Sequence, residues 1–326
     1  MNRIPSSPPL ISGLSNGEYR TIWSVMIPVY NCAEFLSDTL ISVLSQELGE
    51  DIMQIEVIDD ASTDANVEQI VKEIGKGRVG YFRQQENRGS LRNFETCINR
   101  SKGHLIHLLH GDDRVKKGFY DKISRLFTSN PAAGAAFCRY SAIDEEGKKL
   151  YDSKVIQQEE GILMSSLLKI ASEQNIQYAA MVVKREVYEQ VGSFYGVNYG
   201  EDWEMWVRIA KHYPVAHSPE VLAEYRKHKG SISWPKKEDG QTTKDLAYVI
   251  KLIEQHLPSV NKNIMASAKR NCALFCLTKA NVIWGETSNR RKAETLVKLA
   301  LSLDKSPKLF YHILKFYIKV ALKINT

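Results

Sequence analysis

What this sequence lacks narrows its function first. It has no CxxC pair, and its five cysteines, at positions 32, 97, 138, 272 and 276, are odd in number. That argues against a disulfide framework or a zinc module and for a reducing compartment. No apolar run approaches the roughly eighteen residues of a membrane-spanning helix. Residues 1–20 place proline and serine where a secretory signal needs an unbroken apolar stretch, so a cytoplasmic chain is expected. GxxxxGK[ST] does not occur, and the single GxGxxG match, Gly75 to Gly80, follows a helical pattern and precedes a strand, the reverse of the context a dinucleotide cradle needs. No nucleic-acid module is recognisable and the basic residues are scattered through helices, so nucleic acid is not an expected partner.

What is present is the composition of a globular protein. A chain of 326 residues, 43% hydrophobic and 25% charged, is long enough for one large domain and a smaller one. Its net charge of +6 suits phosphorylated ligands or an anionic membrane surface. Strand and helix patterns alternate from the start. Trp23 to Ile27 reads as a strand broken by Pro28, followed by Val29-Tyr30-Asn31 and a helix through Leu36, Leu40, Val43 and Leu44. Asn31 and Glu34 have capping-box spacing. The unit repeats as strand Ile55–Ile58, acidic loop Asp59–Asp64 and helix Asn66–Ile74 ended by Gly75. Strand Val79–Arg83 and a helix carrying Leu91, Phe94, Cys97 and Ile98 follow. Such alternation predicts right-handed crossovers and a mainly parallel sheet with helices on both faces, an α/β fold.

The most informative stretch is His104-Leu105-Ile106-His107-Leu108-Leu109-His110-Gly111-Asp112-Asp113. Its aliphatic run reads as a buried strand, yet it delivers two adjacent carboxylates to its own tip. In open α/β sheets ligands gather at the carboxyl ends of strands, where paired acids can hold a hard divalent cation against a phosphate. The alternative is a cap for the helix through Phe119, Ile123, Leu126 and Phe127. Asp59-Asp60 stands at the equivalent end of an earlier strand, so a nucleotide site is the simplest joint reading.

Beyond a strand at Ala135–Tyr140 and a turn at Asp144–Lys148 the pattern loosens: a helix near Leu163–Ile170, a strand near Tyr178–Val183, and a short helix ended by Gly192. An aromatic and glycine-rich loop, Phe194–Gly200, precedes a helix opened by Glu201-Asp202-Trp203-Glu204-Met205-Trp206. From about residue 244 only helical patterns remain. A boundary is therefore expected at 235/236, with domains 1–235 and 236–326. The last helix, Leu309–Lys323, sets lysines among aliphatic and aromatic residues. Such a segment suits either an anionic membrane surface or a helix packed on its neighbours with its lysines in water; the second is the commoner outcome.

Five blocks taken in order, SVMIPVYN, VIDDASTD, ENRGSLRNF, LLHGDD and GEDWEMWVRIA, resemble the landmarks of family 2 glycosyltransferases with the GT-A fold, over residues 23 to 233. The resemblance implies an inverting transfer of a sugar from a nucleoside-diphosphate sugar to a hydroxyl of a glycan or lipid-linked acceptor. It also implies a divalent metal, Mn²⁺ or Mg²⁺, and work such as lipopolysaccharide or capsule synthesis at the inner face of a membrane. By matching position, Pro28, Tyr30 and Asn31 should line the nucleotide pocket. Asp59 and Asp60 should contact base or ribose, Arg92 and Asp112 should face the donor, and Asp113 should ligate metal.

Asp202 matches the catalytic base. Lying at a helix N-terminus, it is expected to have a lowered pKa, so placement must matter more than basicity. Trp203 and Trp206 beside it suit either a sugar ring or the core. In the basic segment Tyr225–Ser233, Arg226 is expected to meet the diphosphate and His228 to complete the metal shell. The sequence departs from the family at His110, where an acid is usual. A neutral imidazole can still ligate manganese, but it removes one negative charge. The same landmarks would serve a nucleotide-sugar-binding protein that has lost catalysis, with His110 as its first sign. A metal-dependent hydrolase would need a water-positioning group, which no motif supplies. His104, His107, His212 and His217 carry no motif and are read as structural.

Overall fold

The structure, a computed structural model, describes residues 2–15, 17, 20–231, 241–257 and 262–324. The expected boundary at 235/236 and most of the polar link after it lie outside the described residues. Four parallel strands come first: β1 (Trp23–Val29), β2 (Met53–Asp59), β3 (Gly80–Arg83) and β4 (Leu105–Leu108), in the sheet order β3-β2-β1-β4. They are linked by α1 (Ala33–Leu44), α2 (Val67–Gly75) and α3 (Ser90–Arg100). Every residue of β1 and β4 is buried, which is why both read as continuous apolar runs without alternation.

Three local expectations are corrected here. Pro28 does not break β1, which stays in register with β2 through Val29–Asp59. A strand residue points its N–H and C=O to the same side, and the Pro28 carbonyl accepts from Gly111 N. Its nitrogen therefore faces the side where pairing with β4 has already ended at Met26–Leu108, and no ladder bond is lost. Asn31 does not cap α1. Its backbone is left-handed, with φ 49°, and its side-chain oxygen accepts from Thr63 N, while Asp64 takes Ala33 N at the helix start. Gly75 is the last residue of α2, and the left-handed turn falls on Lys76. Glycine is needed at 75 for packing, since a Cβ there would lie 2.8 Å from the Val79 side chain.

The sheet then continues with mixed direction. After β5 (Arg114–Val115) and α4 (Phe119–Ser129) come β6 (Ala135–Ile143), β7 (Lys149–Asp152) and β8 (Gly161–Ile162). Helix α5 (Ser166–Ser172) and a single turn at Tyr178–Ala180 precede β9 (Met181–Lys184) and α6 (Arg185–Val191). Strand β9 runs antiparallel to both β4 and β6. After α7 (Glu201–His212), β10 (Val215–Arg226) pairs parallel with β6 and antiparallel with β5. Ser218-Pro219-Glu220 interrupts the apolar pattern of β10. The pairing with β6 slips at that point, and the irregularity accommodates Pro219.

The chain divides into two units. One, residues 1–166, 175–196 and 208–234, holds the sheet and a core built around Trp23, Ile27, Leu36, Phe119 and Tyr120. The other comprises 167–174, 197–207 and 235–326. The helical unit therefore takes in two segments that lie well before the expected boundary. It contains α8 (Gln241–His256), α9 (Lys262–Thr287), α10 (Arg290–Leu303) and α11 (Pro307–Ala321). Asn289 caps α10 through Lys292 N, and Ser306 caps α11 through Leu309 N with Pro307 in its first turn. Leu277, Trp284, Val297, Leu309 and Phe316 form part of their shared core. No described helix is long and apolar enough to cross a membrane.

Candidate active site

The loops after β1 and β2 are stitched together. Asp60 N donates to the Val29 carbonyl, Asn31 N to Ser62 Oγ at 3.1 Å, and Thr63 N to Asn31 Oδ1 at 2.8 Å. Pro28, Tyr30, Asn31, Asp59 and Asp60 thus meet at one edge of the sheet. Both loops hold a residue in the left-handed region, Asn31 and Ala61, the latter at φ 60°. Non-glycine residues adopt that conformation only when their surroundings enforce it, and such outliers gather at working sites. Tyr30 presents a half-exposed ring.

Asp59 and Asp60 differ in what holds them. The Asp59 carboxylate is fully buried and accepts from Ser62 N and Tyr81 OH, both at 2.8 Å, and from the Arg83 guanidinium. Asp60 accepts from Arg88 N at 2.8 Å and Gly89 N at 2.9 Å, fixing the turn into α3. Burial pushes its carboxyl up, against those two N–H groups. Gly89, at φ 89°, precedes the helix. Arg92, expected to face the donor, pairs with Glu95 at 2.7 Å and donates to the Asn2 carbonyl.

At the tip of β4 the chain turns sharply. A Cβ at Gly111 would come within 2.8 Å of Val29 Cγ2 and 3.0 Å of Cys32 Sγ, so only glycine lets the loop lie against β1. Asp112 and Asp113 follow. Asp113 Oδ1 accepts from Arg226 N at 2.9 Å, and Asp112 Oδ2 meets His228 Nε2 at 2.8 Å. Gly230 N donates to His228 Nδ1, so the ring carries its proton on Nε2 and donates it to Asp112. Burial favours a proton on either acid. For Asp112, burial is opposed first by the His228 hydrogen bond, and its pKa lies below the usual carboxylate range. For Asp113, burial and then the Asp112 charge push it well up.

The guanidinium of Arg226 was expected at the diphosphate. It is buried and donates to the carbonyls of Asp112 and Glu145, both at 2.9 Å, and to Asp38 Oδ2 at 2.9 Å, over the Phe35 ring. In this arrangement the guanidinium braces Asp112 through the backbone, while the backbone N–H of Arg226 holds the Asp113 carboxylate. Asp38 and Phe35 had no motif to announce them.

His110 completes the cluster. Its ring stacks on Phe94 at 5.1 Å and lies 4.4 Å from Tyr178, and its Nε2 is buried with no hydrogen-bond partner among the described residues. Burial keeps its pKa down, although Asp112 opposes, so the neutral, metal-competent ring is favoured. One ligand atom each from His110, Asp112 and Asp113 lie within 4.8 Å of one another. One imidazole nitrogen with an orphaned atom and two carboxylates fit a divalent cation. The expected ligand pair was Asp113 and His228; the structure instead groups Asp113 with His110 and Asp112 and makes His228 the partner that orients Asp112. His107, by contrast, is a core histidine: burial lowers its pKa to about 3, and Nε2 bonds to the Ala179 carbonyl at 3.1 Å.

Asp202 belongs to the helical unit, at the first turn of α7. It accepts from Gln174 Nε2 and Trp203 N, both at 2.7 Å. The helix-terminus expectation of a lowered pKa is overturned. Burial dominates and pushes Asp202 up to about 6, against those two donors. Trp203 and Trp206 are both buried, and the Trp203 indole donates to the Ile170 carbonyl, so they belong to the core. Gln174 was missed because nothing in its local sequence marks it; only tertiary folding brings it to Asp202.

A model of "Glycosyl transferase family 2" matches residues 24–192, more than half of the chain. The chain belongs to this glycosyltransferase family. An uncharacterised protein of Mycobacterium tuberculosis is 28% identical over 218 residues, 62% of this chain and 66% of that protein. A putative teichuronic acid biosynthesis glycosyltransferase of Bacillus subtilis, TuaG, is 27% identical over 220 residues, covering 66% of this chain and 82% of its own. Among solved structures, Staphylococcus aureus TarS 1–349 in complex with UDP-GlcNAc superposes with a TM-score of 0.69 at 15% identity, covering 91% of this chain and 89% of that one. The mannosyltransferase PcManGT of Pyrobaculum calidifontis, in complex with GDP-Man and Mn²⁺, gives 0.59 at 15%, covering 98% and 91%. These last two share the fold, which is GT-A. For this glycosyltransferase-family chain, the matched span contains Asp59, Asp60, Arg92, His110, Asp112 and Asp113 and ends before Asp202, Arg226 and His228.

Proposed function

We propose that the chain transfers a sugar, with inversion, from a nucleoside-diphosphate sugar to a hydroxyl of a glycan or lipid-linked acceptor, in the cytoplasm, during assembly of a surface polysaccharide. The observation that carries this reading is the His110–Asp112–Asp113 cluster at the end of β4, beside the stitched loops that present Tyr30, Asn31 and Asp60. The nucleotides in the TarS and PcManGT structures support the donor class, and the name of the Bacillus subtilis relative supports a surface polymer. The five free cysteines accord with a cytoplasmic site.

In this reading Tyr30 and Asn31 line the nucleotide pocket with Pro28, and Asp60, with Asp59 behind it, sets the loop against base or ribose. His110, Asp112 and Asp113 would hold a divalent cation, whose charge would stabilise the departing diphosphate. A nitrogen in the donor set favours Mn²⁺ over the harder Mg²⁺. His228 keeps Asp112 ionised and aimed, and Arg226 keeps both acids in place. Asp202 accepts the proton of the attacking hydroxyl. With its pKa near 6 it is ionised at neutral pH yet basic enough to take a proton as the new bond forms. Gln174 fixes its rotamer.

The test is release of nucleoside diphosphate from a panel of nucleotide sugars with Mn²⁺ and candidate acceptors, the anomeric configuration of the product being read by NMR. Asp202→Asn should keep donor binding and lose turnover, whereas Asp113→Asn should weaken donor binding. Donor binding without turnover against any acceptor would favour a binding protein, and retention of configuration would rule out the role given to Asp202.

A further inference from the structure

Helix α11 has three faces rather than two. Leu309, Ile313, Phe316 and Val320 are buried in the core of the helical unit. At about 100° per residue, Phe310, Tyr311, Leu314, Tyr317 and Ile318 fall together on a second face. All of them are exposed, Leu314 at 60% and Phe310 at 51%, and Leu322, at 65%, prolongs the face past the helix end. The third face carries Lys308, Lys315 and Lys319, with Lys323 after it, and Lys315 Nζ lies 4.6 Å from the centre of the Tyr311 ring. Between Lys305 and Ile324 there are five lysines and no acid.

A helix that has already buried one apolar face has no need of a second, and a contiguous exposed one marks an interaction site. Charge selects the occupant. A second copy meeting this face would bring lysine against lysine with no carboxylate on either segment. An anionic lipid surface supplies what the helix lacks: phosphates for the lysines, an acyl boundary for Phe310, Leu314, Ile318 and Leu322, and a headgroup layer where tyrosine rings sit well. We propose that α11 docks the protein on an anionic lipid bilayer, lying in the plane of the interface. At 15 residues it is too short to cross one.

This surface is independent of the transferase reading, because its test measures partitioning and not turnover. The whole chain is floated with vesicles of phosphatidylglycerol and phosphatidylcholine, and separately with phosphatidylcholine alone. Strong binding to the anionic vesicles is expected, with near-background binding to the neutral ones and weakening at high salt. The double substitution Leu314→Ser/Ile318→Ser should cut binding at least tenfold, and so should Lys315→Glu/Lys323→Glu. Neither should change the melting temperature or donor turnover with a water-soluble acceptor, since all four side chains are exposed. Absence of vesicle binding, binding unaffected by both doubles, or a vesicle-independent dimer that Leu314→Ser/Ile318→Ser dissolves would each overturn the proposal, the last by giving the face to a second copy.

Discussion

The same dipeptide, Asp-Asp, ends two parallel strands that flank β1, and the fold treats the two differently. After β2 the carboxylates are closed by protein: Asp59 by Ser62 N, Tyr81 and Arg83, and Asp60 by two consecutive backbone N–H groups. After β4 the hold is lighter: Asp112 meets His228 Nε2 at 2.8 Å. Asp113 receives one backbone N–H from Arg226, whose guanidinium goes to carbonyls and to Asp38, and burial, then the neighbouring Asp112 charge, drive it toward the protonated form. The first pair is thus architecture and the second holds negative charge in reserve. Two adjacent carboxylates, one of them buried, repel each other, and a cation between them would relieve that repulsion.

That contrast can be broken by experiment. Asp202, which burial raises as it does Asp113, is where the largest effect is expected. Asp202→Asn should lower turnover about a thousandfold, within the range of general-base removal. Its sign in stability is the opposite. The folded pKa, about 6, lies above the unfolded value of 3.8, so folding stability falls as pH rises between them, costing at most about 3 kcal/mol above pH 6. Asp202→Asn should therefore melt no lower than the parent at pH 8 and lose that part of the pH dependence, while the parent's kcat/KM should climb with pH through about 6. A melting temperature well below the parent's would put Asp202 in the architectural class.

Next, Asp113→Asn should cost about 10²–10³ in turnover, the scale of losing one preorganised electrostatic group, without loss of thermal stability. Asp59→Ala should do the reverse, destabilising the fold by about 2–3 kcal/mol in denaturant melts because Ser62 N and the Tyr81 hydroxyl lose their acceptor. If Asp113→Asn unfolded the chain and Asp59→Ala did not, the distinction between the two pairs would collapse. The smallest effect is His228→Gln, expected to weaken Mn²⁺ affinity by about tenfold in calorimetric titration through the loss of aim at Asp112. An unchanged affinity would leave His228 with no part in the cluster.

The sequence alone carried the alternation that makes the parallel half of the sheet, the burial of the β4 strand, and the arrival of two acid pairs at one sheet edge. It did so because period, apolar runs and strand-end position are local properties, written within about ten residues of each other. Even the left-handed Asn31 was singled out, although for a cap it does not make. Tertiary structure decided what distance along the chain conceals. It brought Gln174 to Asp202, turned Arg226 into a brace for residues more than a hundred positions earlier, and chose His110 over His228 as the third member of the metal-competent group. It also reversed the pKa expectation for Asp202: a helix N-terminus can be seen in sequence, but desolvation depends on everything packed around the group, and here it outweighs the dipole.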